Sequence, residues 1–155
     1  MKTRRTIRLF AIAAVMLAAA LAWAQKDFPS GWGEPTWNQL KLKVQADFDG
    51  DGRPDTAQVL TDINNRAVAV MAYTSSNQRW AKLDSDAISE LPHWHVGAID
   101  PGSYTLTCAP DDKHCIAGPV KLDHPAITIV VDGKPDEVFY WDATMRRFEH
   151  GLLSK

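Results

Sequence analysis

The segment Asp47-Phe48-Asp49-Gly50-Asp51-Gly52-Arg53-Pro54-Asp55 constrains this chain more than any other. Four carboxylates this close repel one another without a cation to gather them. Asp47, Asp49 and Asp51 alternate, and Gly52 stands where the backbone must turn sharply without a Cβ in the way. The main-chain carbonyl of Arg53 would point inward at the next position, and Asp55 would add an oxygen directly or through water. Calcium is a hard cation that takes six to eight oxygens and suits such a set. Magnesium keeps its waters and has no need of the cage. The expected calcium ligands are therefore Asp47, Asp49, Asp51, Arg53 and Asp55. An EF-hand would carry a bidentate Glu at the twelfth loop position. That position is Gln58 here, so the loop is expected between strands and not between helices.

The flanks agree. Leu40, Leu42, Val44 and Ala46 alternate with Gln39, Lys41, Lys43 and Gln45, the period of a half-buried strand. Thr56 to Thr61 reads as the returning strand, and Asn64-Asn65 as a turn into Ala67 to Tyr73. Gln78 to Leu83 follows across Ser75-Ser76-Asn77. Asp84 to Leu91 is the one stretch with helical character, with Ser85 as a cap and Pro92 as a stop. Trp94 to Ile99, Tyr104 to Cys108 and Val120 to Leu122 are short strand candidates. Ala126 to Val131 and Val138 to Trp141 flank Asp132-Gly133 as a hairpin, and Arg147 to Leu153 closes the chain. Short strands punctuated by turn residues predict an antiparallel all-β meander, propeller-like or sandwich-like, in one domain over residues 25–155. The Gly- and Pro-rich stretch from Gln25 to Thr36 is expected to be an extended arm.

Met1 to Ala24 has the layout of an export signal. Lys2, Arg4, Arg5 and Arg8 precede an apolar run, and Ala22-Trp23-Ala24 is a small-x-small cleavage site. Arg4-Arg5 also resembles a twin-arginine pair. Removing 24 of the 155 residues leaves 131, and taking four basic residues from 17 leaves 13 against 19 acidic, a net of −6. A negative chain without basic clusters argues against nucleic acid and against anionic lipid, and no membrane anchor is expected after cleavage. The expected location is periplasmic or secreted. In an oxidising compartment Cys108 and Cys115, with the turn-like Ala-Pro-Asp-Asp-Lys-His between them, suggest a local disulfide.

Other constellations carry less. His93-Trp94-His95 puts two imidazoles on one strand face without a third ligand at a telling spacing. His114, His124 and His150 are scattered, and Asp123-His124 is too generic for a catalytic dyad. A Ser nucleophile would need a positioned base, and Gly-x-Ser-x-Gly is absent. The expected protein is not an enzyme. Trp32, in the arm, and the turn-borne Gly102, Ser103 and Tyr104 are the candidates for contacting a partner.

The loop from Ala46 to Asp55, the late Val138-Phe139-Tyr140-Trp141-Asp142 and the following Arg147-Phe148 together resemble bacterial periplasmic FG-GAP-like proteins. Among these are immunity proteins that guard against lysozyme-like effectors of bacterial-killing type IV secretion systems. The resemblance implies a propeller-like β architecture, an EF-hand-like calcium loop and inhibition of a peptidoglycan-degrading enzyme. The Tyr-x-x-Gly motif expected in the inhibitory loop of such proteins is absent, and Gly102-Ser103-Tyr104 is its loose substitute. A calcium-dependent glycan- or surface-binding module and a secreted hydrolase are the other two functional expectations.

Overall fold

The structure, a computed structural model, describes residues 27–35, 42–64 and 66–154. The expected export signal, Gln25, Lys26, Leu40, Lys41 and Asn65 lie outside the described residues. Within them the chain forms β1 (Trp32–Gly33), β2 (Lys43–Ala46), β3 (Asp55–Asp62), β4 (Ala67–Thr74) and β5 (Arg79–Ala87). A 3₁₀ turn (Ile88–His93) leads to β6 (Trp94–Ile99), β7 (Gly102–Thr107), β8 (Gly118–Leu122), β9 (Ala126–Val131), β10 (Glu137–Asp142) and β11 (Arg147–Leu153). One sheet runs β1-β3-β4-β5, with β2 sharing the β3 edge with β1. The other runs β6-β9-β10-β11-β7-β8. The strand pairings are antiparallel. The fold is all-β and sandwich-like.

Period-two alternation decides which side chains meet. In β3 and β4, Ala57, Val59, Val68, Val70 and Ala72 face inward. They pack on Val96, Ile127, Ile129, Val131 and Phe139 of the second sheet, around the fully buried Trp94. Leu42, Val44 and Ala46 join the same core while Lys43 and Gln45 stay exposed, the alternation read from the sequence. The opposite face of the first sheet carries Leu60, Ala69 and Met71, covered by Phe28, Trp32 and Trp80. The arm is thus pinned to the sheet: Trp32 and Gly33 pair with Asp62 and Thr61, and Trp80 Nε1 donates to the Asp27 carbonyl at 3.0 Å. Behind the second sheet, Leu106, Leu122, Ala126 and Val138 form a further cluster with Tyr104, Val120 and Leu153.

One expected element is corrected. Asp84 to Ala87 continue β5 instead of opening a helix, because β4 offers partners for them: Val70 pairs with Asp84 and Val68 with Asp86. Between Val70 and Met71 the register shifts, leaving Leu83 as an extra residue, a β-bulge. Ser85 caps nothing. The 3₁₀ turn begins after Ala87 with no side-chain cap, and Pro92 lies inside it.

The β7–β8 connection is closed by the Cys108–Cys115 disulfide, with Cα atoms 5.7 Å apart. The crosslink restricts the unfolded chain over a short loop, worth ~2.5 kcal/mol. Replacing both cysteines with serine should lower the unfolding free energy by about that amount. Urea denaturation of the variant, and of the native chain with and without reductant, checks it. A reductant-insensitive midpoint would contradict the expectation.

Candidate metal centre

The acidic loop occupies residues 47–54, between β2 and β3, and Ala46 pairs with Asp55 at its neck. Phe48 is the apolar anchor, 1% exposed in the inter-sheet core. Gly50 and Gly52 have φ of +75° and +82°, the left-handed region in which Gly carries no Cβ penalty. A Cβ on Gly50 would also strike the His124 ring from the β8–β9 turn. The loop therefore rests on both sheets.

Asp55 is 0% exposed, yet both its carboxylate oxygens accept hydrogen bonds. Oδ2 accepts the N–H groups of Phe48 at 2.9 Å and Asp49 at 3.1 Å, and Oδ1 accepts that of Ser75 at 2.7 Å. Burial pushes the Asp55 carboxyl up, and the nearby Asp49 charge adds to this, while the three N–H donors oppose it. Asp47 Oδ2 accepts from Gly52 N at 2.9 Å, but Asp47 Oδ1 is buried with no donor among the described residues. Asp49 accepts from Asp51 N and from the Ser76 hydroxyl. Oxygens of Asp47, Asp49 and Asp55, one each, lie within 4.8 Å of one another. Three converging carboxylates, one with a buried acceptor that lacks a donor, fit a metal cation.

Asp51 behaves differently from the other three. Its Oδ1 accepts Arg53 N at 2.8 Å, and its Oδ2 accepts the Ser75 hydroxyl at 2.7 Å and Arg53 Nη2 at 2.8 Å. The Ser75 hydroxyl, with Arg53 beside it, holds this carboxyl below the usual range. Arg53 enters the loop through its guanidinium and its N–H group, both on Asp51. Of the five expected ligands, the structure brings together Asp47, Asp49 and Asp55. It seats Asp51 and Arg53 against each other.

Sequence reasoning missed Ser75, Ser76 and His124. They are 20 or more residues from their partners in the loop, and only the fold brings the β4–β5 and β8–β9 turns to it. Trp32 is half-buried against the first sheet. Gly102, Ser103 and Tyr104 sit in β7, where the Tyr104 hydroxyl donates to the Asp100 carbonyl at 2.9 Å and Ser103 is exposed. His93 lies 3.3 Å from Asp132, and neither His93 nor His95 belongs to a three-residue ligand group among the described residues.

The fold and this loop define an antiparallel sandwich-like β domain with an acidic cluster that can hold a metal ion. The chain matches no protein-family model, and no curated protein or solved structure is significantly similar to it.

The two kinds of aspartate separate in mutation. Asp55→Ala strands three N–H donors and should cost about 3 kcal/mol or more, with or without divalent cation. Asp47→Asn should be nearly neutral in chelator but should abolish any rise in Tm on adding cation. Melting curves in chelator and in millimolar calcium read both. Gly50→Ala should cost ~1–3 kcal/mol from its positive φ and the His124 collision. Equal losses for Asp47→Asn and Asp55→Ala in chelator would contradict the division of roles.

Proposed function

We propose that this is a calcium-stabilised, non-catalytic binding protein, exported to the periplasm or beyond, that blocks a peptidoglycan-degrading, lysozyme-like enzyme. The observation that carries the calcium half is the all-oxygen triad of Asp47, Asp49 and Asp55 within 4.8 Å. Calcium–oxygen distances of ~2.4 Å allow ligand oxygens up to ~4.8 Å apart, and calcium tolerates the irregular coordination of a flexible loop. Asp47, Asp49 and Asp55 would hold the ion, which supplies positive charge among carboxylates that otherwise repel. Loops of this exported kind bind at ~10⁻⁴–10⁻³ M. At a hundredfold excess over Kd the ion adds about 2.7 kcal/mol to stability.

The role of the ion is structural in this reading. The loop is bound to the β4–β5 turn through Ser75 and Ser76, so an ion there stiffens one end of the first sheet. The inhibitory half rests on the export signal, the resemblance to FG-GAP-like immunity proteins and the acidic net charge of the mature chain, which suits a basic wall-degrading enzyme. The exposed side of the β7–β8 hairpin, with Ser103, Thr105 and Lys121, is the surface offered to it.

Affinity capture from the cell envelope in calcium, followed by a turbidity assay of peptidoglycan lysis, tests the reading. A wall hydrolase should be retained, its lysis should be suppressed, and chelator should weaken both effects. Retention of a glycan with no protein partner would replace the proposal by a glycan-binding module. Turnover of a substrate by the purified chain would replace it by a hydrolase.

A further inference from the structure

A second group of ligand-type side chains lies at the edge of the sandwich, where β5 approaches β10 and β11. Asp112, Cys115 and His150 converge there, but Cys115 is in the disulfide and offers no thiolate. What remains is an ionic cluster around one imidazole. His150 Nε2 lies 2.8 Å from Asp112 Oδ2 and 3.8 Å from Glu137 Oε1. The His150 and Glu137 side chains are only 19% and 21% exposed, and the His150 ring stacks on Phe139. Asp84 of β5 faces the cluster across the sheets, and Lys134 lies beside it, 3.2 Å from Asp86.

Asp112 belongs to the disulfide-closed loop. Its Oδ1 gathers the N–H groups of His114 and Cys115 at 2.9 and 3.2 Å, which shapes the loop, while Oδ2 reaches His150 on β11. Just beyond the disulfide, Ile116 N donates to the His150 carbonyl at 2.8 Å. Gly151 permits this approach, since a Cβ there would come within 2.7 Å of the Ile116 carbonyl oxygen.

We propose that this cluster is a proton-operated clamp, in which the loop that carries Asp112 stays on β11 while Glu137 holds its proton and lifts when Glu137 ionises and its charge opposes that of Asp112. The charges that face the clamp set its direction. Burial pushes the Glu137 carboxyl up to about 7, with Asp84 and Asp112 adding to it and His150 and Lys134 opposing it. Burial, and then Asp86, raise Asp84 as well. Lifting the loop takes the Asp112 charge away from Glu137, so the closed state holds that proton more tightly than the open one. Closure is therefore favoured in acid and lost as pH rises from about 4.5 through about 7. Asp112 has the opposite sign, held below the usual range chiefly by the His150 imidazole, so its titration weakens the clamp only in strong acid.

Amide hydrogen exchange on the full chain, at about pH 5.5 and about pH 8.5 and corrected for intrinsic rates, reads the clamp at Ile116, His114 and Cys115. Their protection should fall about tenfold on going to the alkaline sample, while β3 and β4 amides keep theirs. Glu137→Gln should flatten that fall. Asp112→Asn keeps the Oδ1 acceptor for the loop but not the charge on His150. It should show the low protection already at the acidic pH. Constant loop protection in the native chain, an unaltered fall in Glu137→Gln, or a parallel loss across β3 and β4 would each overturn the clamp.

Discussion

The buried carboxyl group of Asp55 holds the architecture at the corner where the acidic loop meets the first sheet. A polar group with no exposed surface is tolerated only when its oxygens are bonded, and here three backbone N–H groups do so. Two come from the loop that precedes β3 and one from the turn that follows β4. A single side chain thereby ties three consecutive strands together at one end. The residues that would hold an ion are arranged around this fixed point. A metal ion would thus be an addition to a loop already shaped by hydrogen bonds, and loss of Asp55 is expected to act on folding where loss of Asp47 acts on the cation.

Much of this was legible because the relevant forces are local. The alternation of Leu42, Val44 and Ala46 with Lys43 and Gln45 is a direct image of the pleat. The Cys108–Cys115 pairing follows from two thiols and the turn between them. Of the expected helical stretch, Ile88 to Leu91 do turn as a 3₁₀ helix, whereas Asp84 to Ala87 departed for the opposite reason. Its own composition favours a helix only weakly, and pairing with Ala67 to Val70 across the sheet outweighs that preference. Spacing alone puts Asp51 in the expected ligand set, and it says nothing of the two partners that the fold gives this carboxylate: the Arg53 side chain, which folds back on it, and a serine brought in by the β4–β5 turn. No one-dimensional pattern encodes that. The Glu137–His150–Asp112 cluster was equally invisible, since its members come from β10, β11 and a disulfide loop.

The two sheets are asymmetric in how they cover their outer faces. The first uses the arm, through Phe28 and Trp32, together with the Trp80 ring. The second uses its own β7 and β8, whose Leu106 and Leu122 pack on Ala126 and Val138 of β9 and β10. Among the described residues three apolar clusters form, and β3, β4 and β9 are buried on both sides. The arm aromatics are occupied by packing, which shifts attention to the polar outer side of the β7–β8 hairpin.

The bulge at Leu83 has a consequence for solubility. Strand β5 ends its sheet, so its outer row of main-chain donors and acceptors is a template onto which another chain could dock and begin a fibril. The extra residue breaks the regular repeat of that row and increases its twist. Directly after it, Asp84 and Asp86 point to the same side as the core residues Val70 and Val68, so a strand added alongside would have to bring its own apolar row against charge. The irregularity that defeats a simple reading of this strand also makes its edge a poorer template for a second copy.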